Sequence, residues 1–194
     1  MSPDMFPQAL IFDCDGTLAD TMPLHWRAWH AVAERYRLDF PEDRFYALGG
    51  VPARDILKML SREQGRELDP LAASQEKEAA YLHFLPQVRE VEVVVNIARE
   101  HYGIIPMAVA SGGLQSHINE VLTHLGIRHL FQAVVTSEDV TRQKPAPDIF
   151  LEAARRLGVA PQFCRAYEDS DLGLRAIRAA GMEAVDVRLL RKQG

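Results

Sequence analysis

Two acids one residue apart, Asp13 and Asp15, close a short apolar run, Ala9-Leu10-Ile11-Phe12, and are followed at once by Gly16 and Thr17. Such a run ending at a glycine reads as a buried strand of a parallel sheet. Strand alternation puts Asp13 and Asp15 on one side and Cys14 on the other, and Gly16 permits the sharp turn that follows. Two neighbouring carboxylates repel, and either a bound cation or a shared proton relieves the repulsion. Taken alone, the same residues equally describe a strand that ends in a solvated turn.

Three later stretches place further polar groups in comparable positions. Met107-Ala108-Val109-Ala110 runs into Ser111-Gly112-Gly113 and then a helical pattern, a turn able to present backbone N–H groups to an anion. By itself it is an ordinary strand-to-helix connection. Ala133 to Thr136 leads into a polar loop with Lys144-Pro145-Ala146-Pro147-Asp148, where the lysine is held between turn-forming residues. A strand at Cys164–Tyr167 ends in Glu168-Asp169-Ser170-Asp171, either a cation site or an acid-rich helix start.

Stepping along the chain, the elements that must carry these groups alternate strand and helix, closing on a strand at Ala184–Val187 and a basic tail, Arg188–Gly194, expected to be solvated. The exception is residues 20–87. There Leu24, Ala28, Trp29, Val32, Ala33 and Tyr36 recur at helical spacing, and further helical patterns cover Pro41–Leu48, Pro52–Gln64 and Pro70–Leu85. A helix over Val88–His101 then leads back to the sheet. The reading is an α/β, Rossmann-like parallel sheet of order 3-2-1-4-5 flanked by helices. Residues 1–19 and 88–194 form the core, and 20–87 form a small inserted α-helical cap with hinges near Asp20 and Val88. That order makes the first and fourth strands neighbours, so Asp13 and Asp15 meet Glu168 and Asp169, with Ser111 and Lys144 approaching from the other side. Clustered carboxylates select a hard dication, Mg²⁺ above all. Phosphoryl transfer suits such a site, because it needs chiefly charge neutralisation and in-line positioning.

The 194 residues, 47% hydrophobic and 25% charged, suit one domain with a modest insertion, and a formal charge of −5 argues against nucleic acid as a partner. Two cysteines, Cys14 and Cys164, fall at opposite edges of the expected sheet, too far apart to pair, which fits a reducing, cytoplasmic setting. Met1–Pro7 lacks the basic start of a signal peptide, and no run is long and apolar enough to span a membrane. Nothing demands a partner subunit, so a monomer is expected.

With these motifs in order, Asp13-Cys14-Asp15-Gly16-Thr17, Ser111, Lys144-Pro145 and Glu168-Asp169, the chain closely resembles the haloacid dehalogenase superfamily over nearly its whole length. The cap position resembles the helical-cap subgroup that includes β-phosphoglucomutase and many sugar phosphatases. The resemblance implies Asp13 as nucleophile and Asp15 as general acid/base, with Thr17, Ser111 and Lys144 holding phosphoryl oxygens. It also implies Mg²⁺ on the Asp13 carboxylate, the Asp15 carbonyl and Asp169, with Glu168 assisting. On spacing alone His25 reads as structural, but the resemblance places His25 and Lys77 at substrate, with Gly50, Arg54 and Gly112 as further substrate contacts. The mutase's cap loop carries a Lys-Gly pair and a following Arg that grip a second phosphate; here Gly49 replaces the lysine and Arg54 is displaced by one position. The resemblance therefore leans toward hydrolysis of small phosphorylated sugars, of the bacterial fructose-1-phosphate or 6-phosphogluconate phosphatase kind, through an aspartyl phosphate. β-Phosphoglucomutase activity is the alternative.

Overall fold

The computed structural model of the protein describes residues 6–192. Five short strands, β1 (Ala9–Phe12), β2 (Met107–Ala110), β3 (Ala133–Val135), β4 (Cys164–Glu168) and β5 (Glu183–Asp186), form one parallel sheet in the order β3-β2-β1-β4-β5. This is the expected sheet order. The two-residue alternation of the strands divides their side chains between two apolar layers. Leu10, Phe12, Met107, Val109, Val134 and Tyr167 join one layer, and Ala9, Ile11, Ala108, Ala110, Val135 and Ala166 the other. Both faces are thus covered, which is why the three strands β1, β2 and β3 read as unbroken apolar runs, whereas β4 carries Arg165 and the edge strand β5 begins and ends on an acid.

Between β1 and β2 the chain forms α1 (Met22–Tyr36), α2 (Glu42–Ala47), α3 (Ala53–Gln64), α4 (Pro70–Leu82) and, after a 3-10 turn at Leu85–Gln87, α5 (Glu92–His101). Trp29, Val32, Phe40, Phe45, Ile56, Leu57 and Leu60 build an apolar cluster of their own, while Leu24, Ala28 and Tyr81 reach the sheet's layer. The remaining helices are α6 (Gln115–His124), α7 (Asp148–Leu157), α8 (Asp171–Ala179) and α9 (Val187–Leu190).

Two elements differ from the sequence reading. The helix expected from Val88 starts only at Glu92, because residues 88–91 pair with the chain leaving β1. Asp20 N–H donates to the Arg89 carbonyl at 2.8 Å, Val91 N–H donates to the Leu18 carbonyl at 2.9 Å, and Ala19 bridges Glu90. The tail is exposed as expected at Arg188, Leu189, Arg191 and Lys192, but it is ordered at its start: the buried Val187 opens α9, which runs into it, and Arg188 grips Asp186 and Asp171. Residues 193–194 of that tail lie outside the described residues. Cys14 and Cys164 are both buried and free. No helix among the described residues is long and apolar enough to cross a membrane.

Candidate active site

The C-terminal ends of β1, β2 and β4 and the loop after β3 converge on one cleft roofed by the α2–α3 loop and α4. Asp13 directly follows β1; its N–H donates to the Tyr167 carbonyl at 3.0 Å, so the ladder fixes its backbone. Its side chain is almost wholly buried, and Lys144 Nζ donates to Asp13 Oδ1 and Glu168 Oε2, each at 2.7 Å. Lys144 therefore lies between the first and fourth strand ends. The Lys144–Pro145 peptide is cis.

Oxygens of Asp13, Glu168 and Asp169 lie within 4.8 Å of one another. Three carboxylates face one ammonium, and the imbalance falls on Asp13 and Asp169. Burial, then the Glu168 charge, raises Asp13 well above the usual carboxylate range despite Lys144, and burial with Glu168 pushes Asp169 up to about 7. Burial pulls Lys144 down, but Asp13 and Glu168 outweigh it and hold the ammonium charged. A hard dication would cancel the excess negative charge, and an all-oxygen donor set suits one.

The three acids are not equivalent. Glu168 Oε2 is taken by Lys144, and Oε1 accepts from the Asp169 N–H, the Ser170 N–H and the Ser170 hydroxyl at 3.2, 3.0 and 2.8 Å. Glu168 is thus a saturated anchor for Lys144 and for the start of α8, where Ser170 also caps the helix by accepting from the Gly173 N–H. Among the described residues Asp169 accepts from the Thr17 hydroxyl alone, on Oδ1 at 3.0 Å. Asp171 is exposed and bound to Arg188, away from the cluster.

Gly16 has φ +87°, and a Cβ there would lie 2.2 Å from Asp169 Oδ2. Both backbone conformation and space therefore demand glycine. Gly16→Ala is expected to displace Asp169, lower Tm by several degrees and remove most activity; a thermal melt and an activity assay with wild-type values would contradict this account of the turn.

The Asp15 carboxylate points away from the cluster, toward the helical segment. Thr21 stands at the N-cap position of α1 but makes no cap bond and instead donates its hydroxyl to Asp15 Oδ1 at 2.7 Å. His25 Nε2 lies 3.2 Å from the same oxygen, and Lys77 Nζ lies 2.9 Å from His25 Nδ1. Because a lysine ammonium only donates, His25 Nδ1 is the acceptor and Nε2 carries the proton toward Asp15. Burial would raise Asp15, yet His25 and Thr21 together hold it down at about 2. Burial and Lys77 lower His25.

Asp13, Asp15, His25, Gly50, Lys77, Ser111, Gly112, Glu168 and Asp169 all line the cleft. The roof is in contact with the floor: a Cβ on Gly112 would lie 2.6 Å from the Gly50 carbonyl oxygen, and one on Gly50 would lie 3.1 Å from Lys144 Cδ. Ser111 is buried and its hydroxyl oxygen accepts the Gly113 N–H at 3.2 Å. Two expected substrate contacts are placed elsewhere. Thr17 is fully buried beneath the cleft, spent on Asp169. Arg54 is exposed, because α3 buries Ile56, Leu57 and Leu60 and position 54 falls on the opposite face. Glu78, Tyr81 and His117, which the sequence did not single out, also line the cleft. Glu78 was signalled only by its place beside Lys77.

Acids at the ends of adjacent parallel strands, a lysine from the next loop and a helical insertion over them define a class of hydrolase. The chain belongs to the haloacid dehalogenase-like hydrolase family, whose model matches residues 7–181. It is 43% identical over 181 residues to the fructose-1-phosphate phosphatase YqaB of Escherichia coli, covering 93% of this chain and 96% of that protein. It is 32% identical to a β-phosphoglucomutase of Bacillus subtilis, over 93% of this chain and 83% of the other. The structure is similar to that of a Clostridium difficile β-phosphoglucomutase, with a TM-score of 0.80 at 25% identity, covering 93% of this chain and 84% of that one.

Proposed function

We propose that this protein is a Mg²⁺-dependent phosphatase of small phosphorylated sugars, of the fructose 1-phosphate or 6-phosphogluconate kind. It works through an aspartyl phosphate on Asp13, with residues 20–87 as a cap over the core of 1–19 and 88–194. The observation that carries the reading is the division of labour between the two acids: Asp13 faces Lys144 and the acidic cluster, whereas Asp15, two residues on, faces His25 and Thr21. Similarity to a fructose-1-phosphate phosphatase over nearly the whole chain supports the substrate class.

An Asp13 oxygen attacks phosphorus, and the P–O bond to the sugar breaks as the leaving oxygen takes a proton from Asp15. Asp15 then takes a proton from the water that cleaves the aspartyl phosphate, releasing inorganic phosphate and restoring both acids. Its carboxyl is held ionised before substrate enters; the anionic phosphate opposes His25 and Thr21 and raises it, so that it takes up one proton from solvent as substrate binds, gives that proton to the leaving oxygen in the first step and regains one from water in the second. Lys144 holds Asp13 in place and, with Ser111 and the Gly112 backbone, faces the phosphoryl oxygens. Asp13, Asp169 and the Asp15 carbonyl would hold Mg²⁺, with Glu168 supporting them through Lys144. The ion supplies charge neutralisation at the transferring phosphoryl group. The Gly50–Gly112 contact describes a closed cap that opens to admit substrate and closes to exclude water. Every group in the scheme comes from one chain, in keeping with a monomer.

Chelation has a signed pH dependence. Asp13 and Asp169 have raised values when folded, so these two groups bind more protons in the metal-free folded state than in the unfolded chain between about pH 4 and 7. The contribution of these two acids to metal-free stability therefore falls as pH rises through that window, and Mg²⁺, which competes with those protons, restores it. A larger Mg²⁺-induced rise in Tm at pH 8 than at pH 5 is expected; equal shifts would contradict the assignment of these acids to the metal.

Phosphate release from a panel of sugar phosphates with Mg²⁺ tests the activity. The mutase reading draws on the Bacillus subtilis similarity. It requires glucose 1-phosphate with a bisphosphate primer to yield glucose 6-phosphate without phosphate release, and that result would replace the phosphatase reading.

A further inference from the structure

Glu78 stands on α4, in the roof of the cleft, and its two oxygens serve two different cations. Oε1 accepts from Lys77 Nζ at 3.0 Å, and Oε2 lies 3.2 Å from Nδ1 of His117, which comes from α6 on the sheet side. The second contact is an ion-pair approach without hydrogen-bond alignment, since Nδ1 has no hydrogen-bond partner among the described residues. The Lys77, Glu78 and His117 side chains are 5%, 18% and 16% exposed, and all three line the cleft. Burial would raise Glu78, but Lys77 and then His117 hold it at about 2, and Glu78 in turn raises His117.

The charges around the cleft leave no cation without a carboxylate. Lys144 is matched by Asp13 and Glu168, and Lys77 and His117 share Glu78. No arginine among the described residues lines the cleft, and Arg54 faces solvent. The rest of the wall away from the acids is apolar, with Trp29, Phe45, Ile56 and Ile118. Such a wall suits the carbon face of a sugar and gives a second anion nothing to bind.

We propose that Glu78 and His117 set specificity by charge. Glu78 engages Lys77 and His117 at once and offsets part of the positive charge they would otherwise offer, so the cleft favours sugar monophosphates whose remaining part is neutral over those with a carboxylate or a second phosphate. The inference rests on the sugar-phosphate phosphatase reading and narrows it.

The test is kcat/KM with Mg²⁺ for fructose 1-phosphate and for 6-phosphogluconate, in the wild type, Glu78→Gln and His117→Ala. The wild type is expected to prefer fructose 1-phosphate. Glu78→Gln unmasks Lys77 and His117 and is expected to move the ratio toward 6-phosphogluconate by about tenfold, the scale of a unit charge acting over a few ångströms at a partly wet site. His117→Ala leaves Glu78 less compensated and is expected to move the ratio the other way. Opposite signs separate a charge filter from simple damage, which lowers both substrates together. An unchanged ratio in both variants, or shifts of the same sign, would overturn the inference while leaving the phosphatase reading intact. A wild type that releases phosphate from no sugar phosphate would overturn both.

Discussion

Asp13→Asn is expected to abolish phosphate release while leaving the protein folded. The asparagine nitrogen cannot attack phosphorus, and no other carboxylate is free to replace it: Glu168 is saturated by protein donors, Asp169 is held by Thr17, and Asp15 is turned toward His25. A fall of at least about 10⁴-fold in kcat is the scale on which loss of a nucleophile acts. The fold should survive for an electrostatic reason. Asp13 is one of three acids around a single ammonium and is itself raised by burial and by Glu168, so removing its charge relieves repulsion. Lys144 keeps Glu168, and the asparagine carbonyl can still accept from it. A Tm equal to or above that of the metal-free wild type is expected. Turnover retained in the purified variant would exclude the covalent mechanism, and a variant unable to fold would contradict the charge account.

Lys144→Met carries the largest expected effect on stability. The Lys144 side chain is 1% exposed and is the only cation within hydrogen-bond distance of Asp13 and Glu168 among the described residues. Breaking a buried pair by removing one partner costs about 3–5 kcal/mol, because the remaining charge stays buried without compensation. Here two carboxylates are abandoned, and Asp13, already raised by burial and by Glu168, loses the one cation that lowers it. Acids with raised folded values stabilise the protein at low pH and cease to do so as pH rises. The Lys144→Met protein should therefore be least stable relative to wild type near pH 8 and recover toward pH 5, and Mg²⁺ should rescue part of the loss. Activity is expected to be lost throughout. Urea denaturation at the two pH values checks the sign; a deficit that is the same at both would mean that lost packing, not stranded charge, is responsible.

Much of this site was legible because strand ends announce themselves. Asp13 and Ser111 each follow an apolar run that stops abruptly, Glu168 ends a short strand at the head of an acid-rich turn, and sheet order alone then brings them together. What escaped the sequence depends on where side chains turn after the backbone is placed. Thr21 looks like a helix cap and is one by position, but its hydroxyl is drawn to Asp15. Thr17 was expected at substrate and is spent on Asp169, a partner 152 positions away. Helical spacing near residue 54 predicts a helix without fixing which face meets the cleft. His117 and Glu78 lie on separate helices, and nothing in either local pattern reveals that they meet. The start of α5 was misplaced for a similar reason: residues 88–91 are claimed by the outgoing chain at 18–20, a long-range pairing with no local signature.

That pairing has an evolutionary consequence. The outgoing and returning chains run side by side at Leu18–Asp20 and Arg89–Val91, so the helical segment leaves and re-enters the sheet at one point, like a cassette on a double stem. A cassette of this kind can be lengthened or exchanged without disturbing strand order, and substrate range is then free to diverge quickly. Exchange is not neutral for the reaction, however. Thr21, His25 and Lys77 travel with the cassette, and they fix the protonation of Asp15. Descendants that acquire a new roof therefore inherit a retuned acid with it, and a chimaera built by swapping residues 21–88 should change its pH–rate profile along with its substrate.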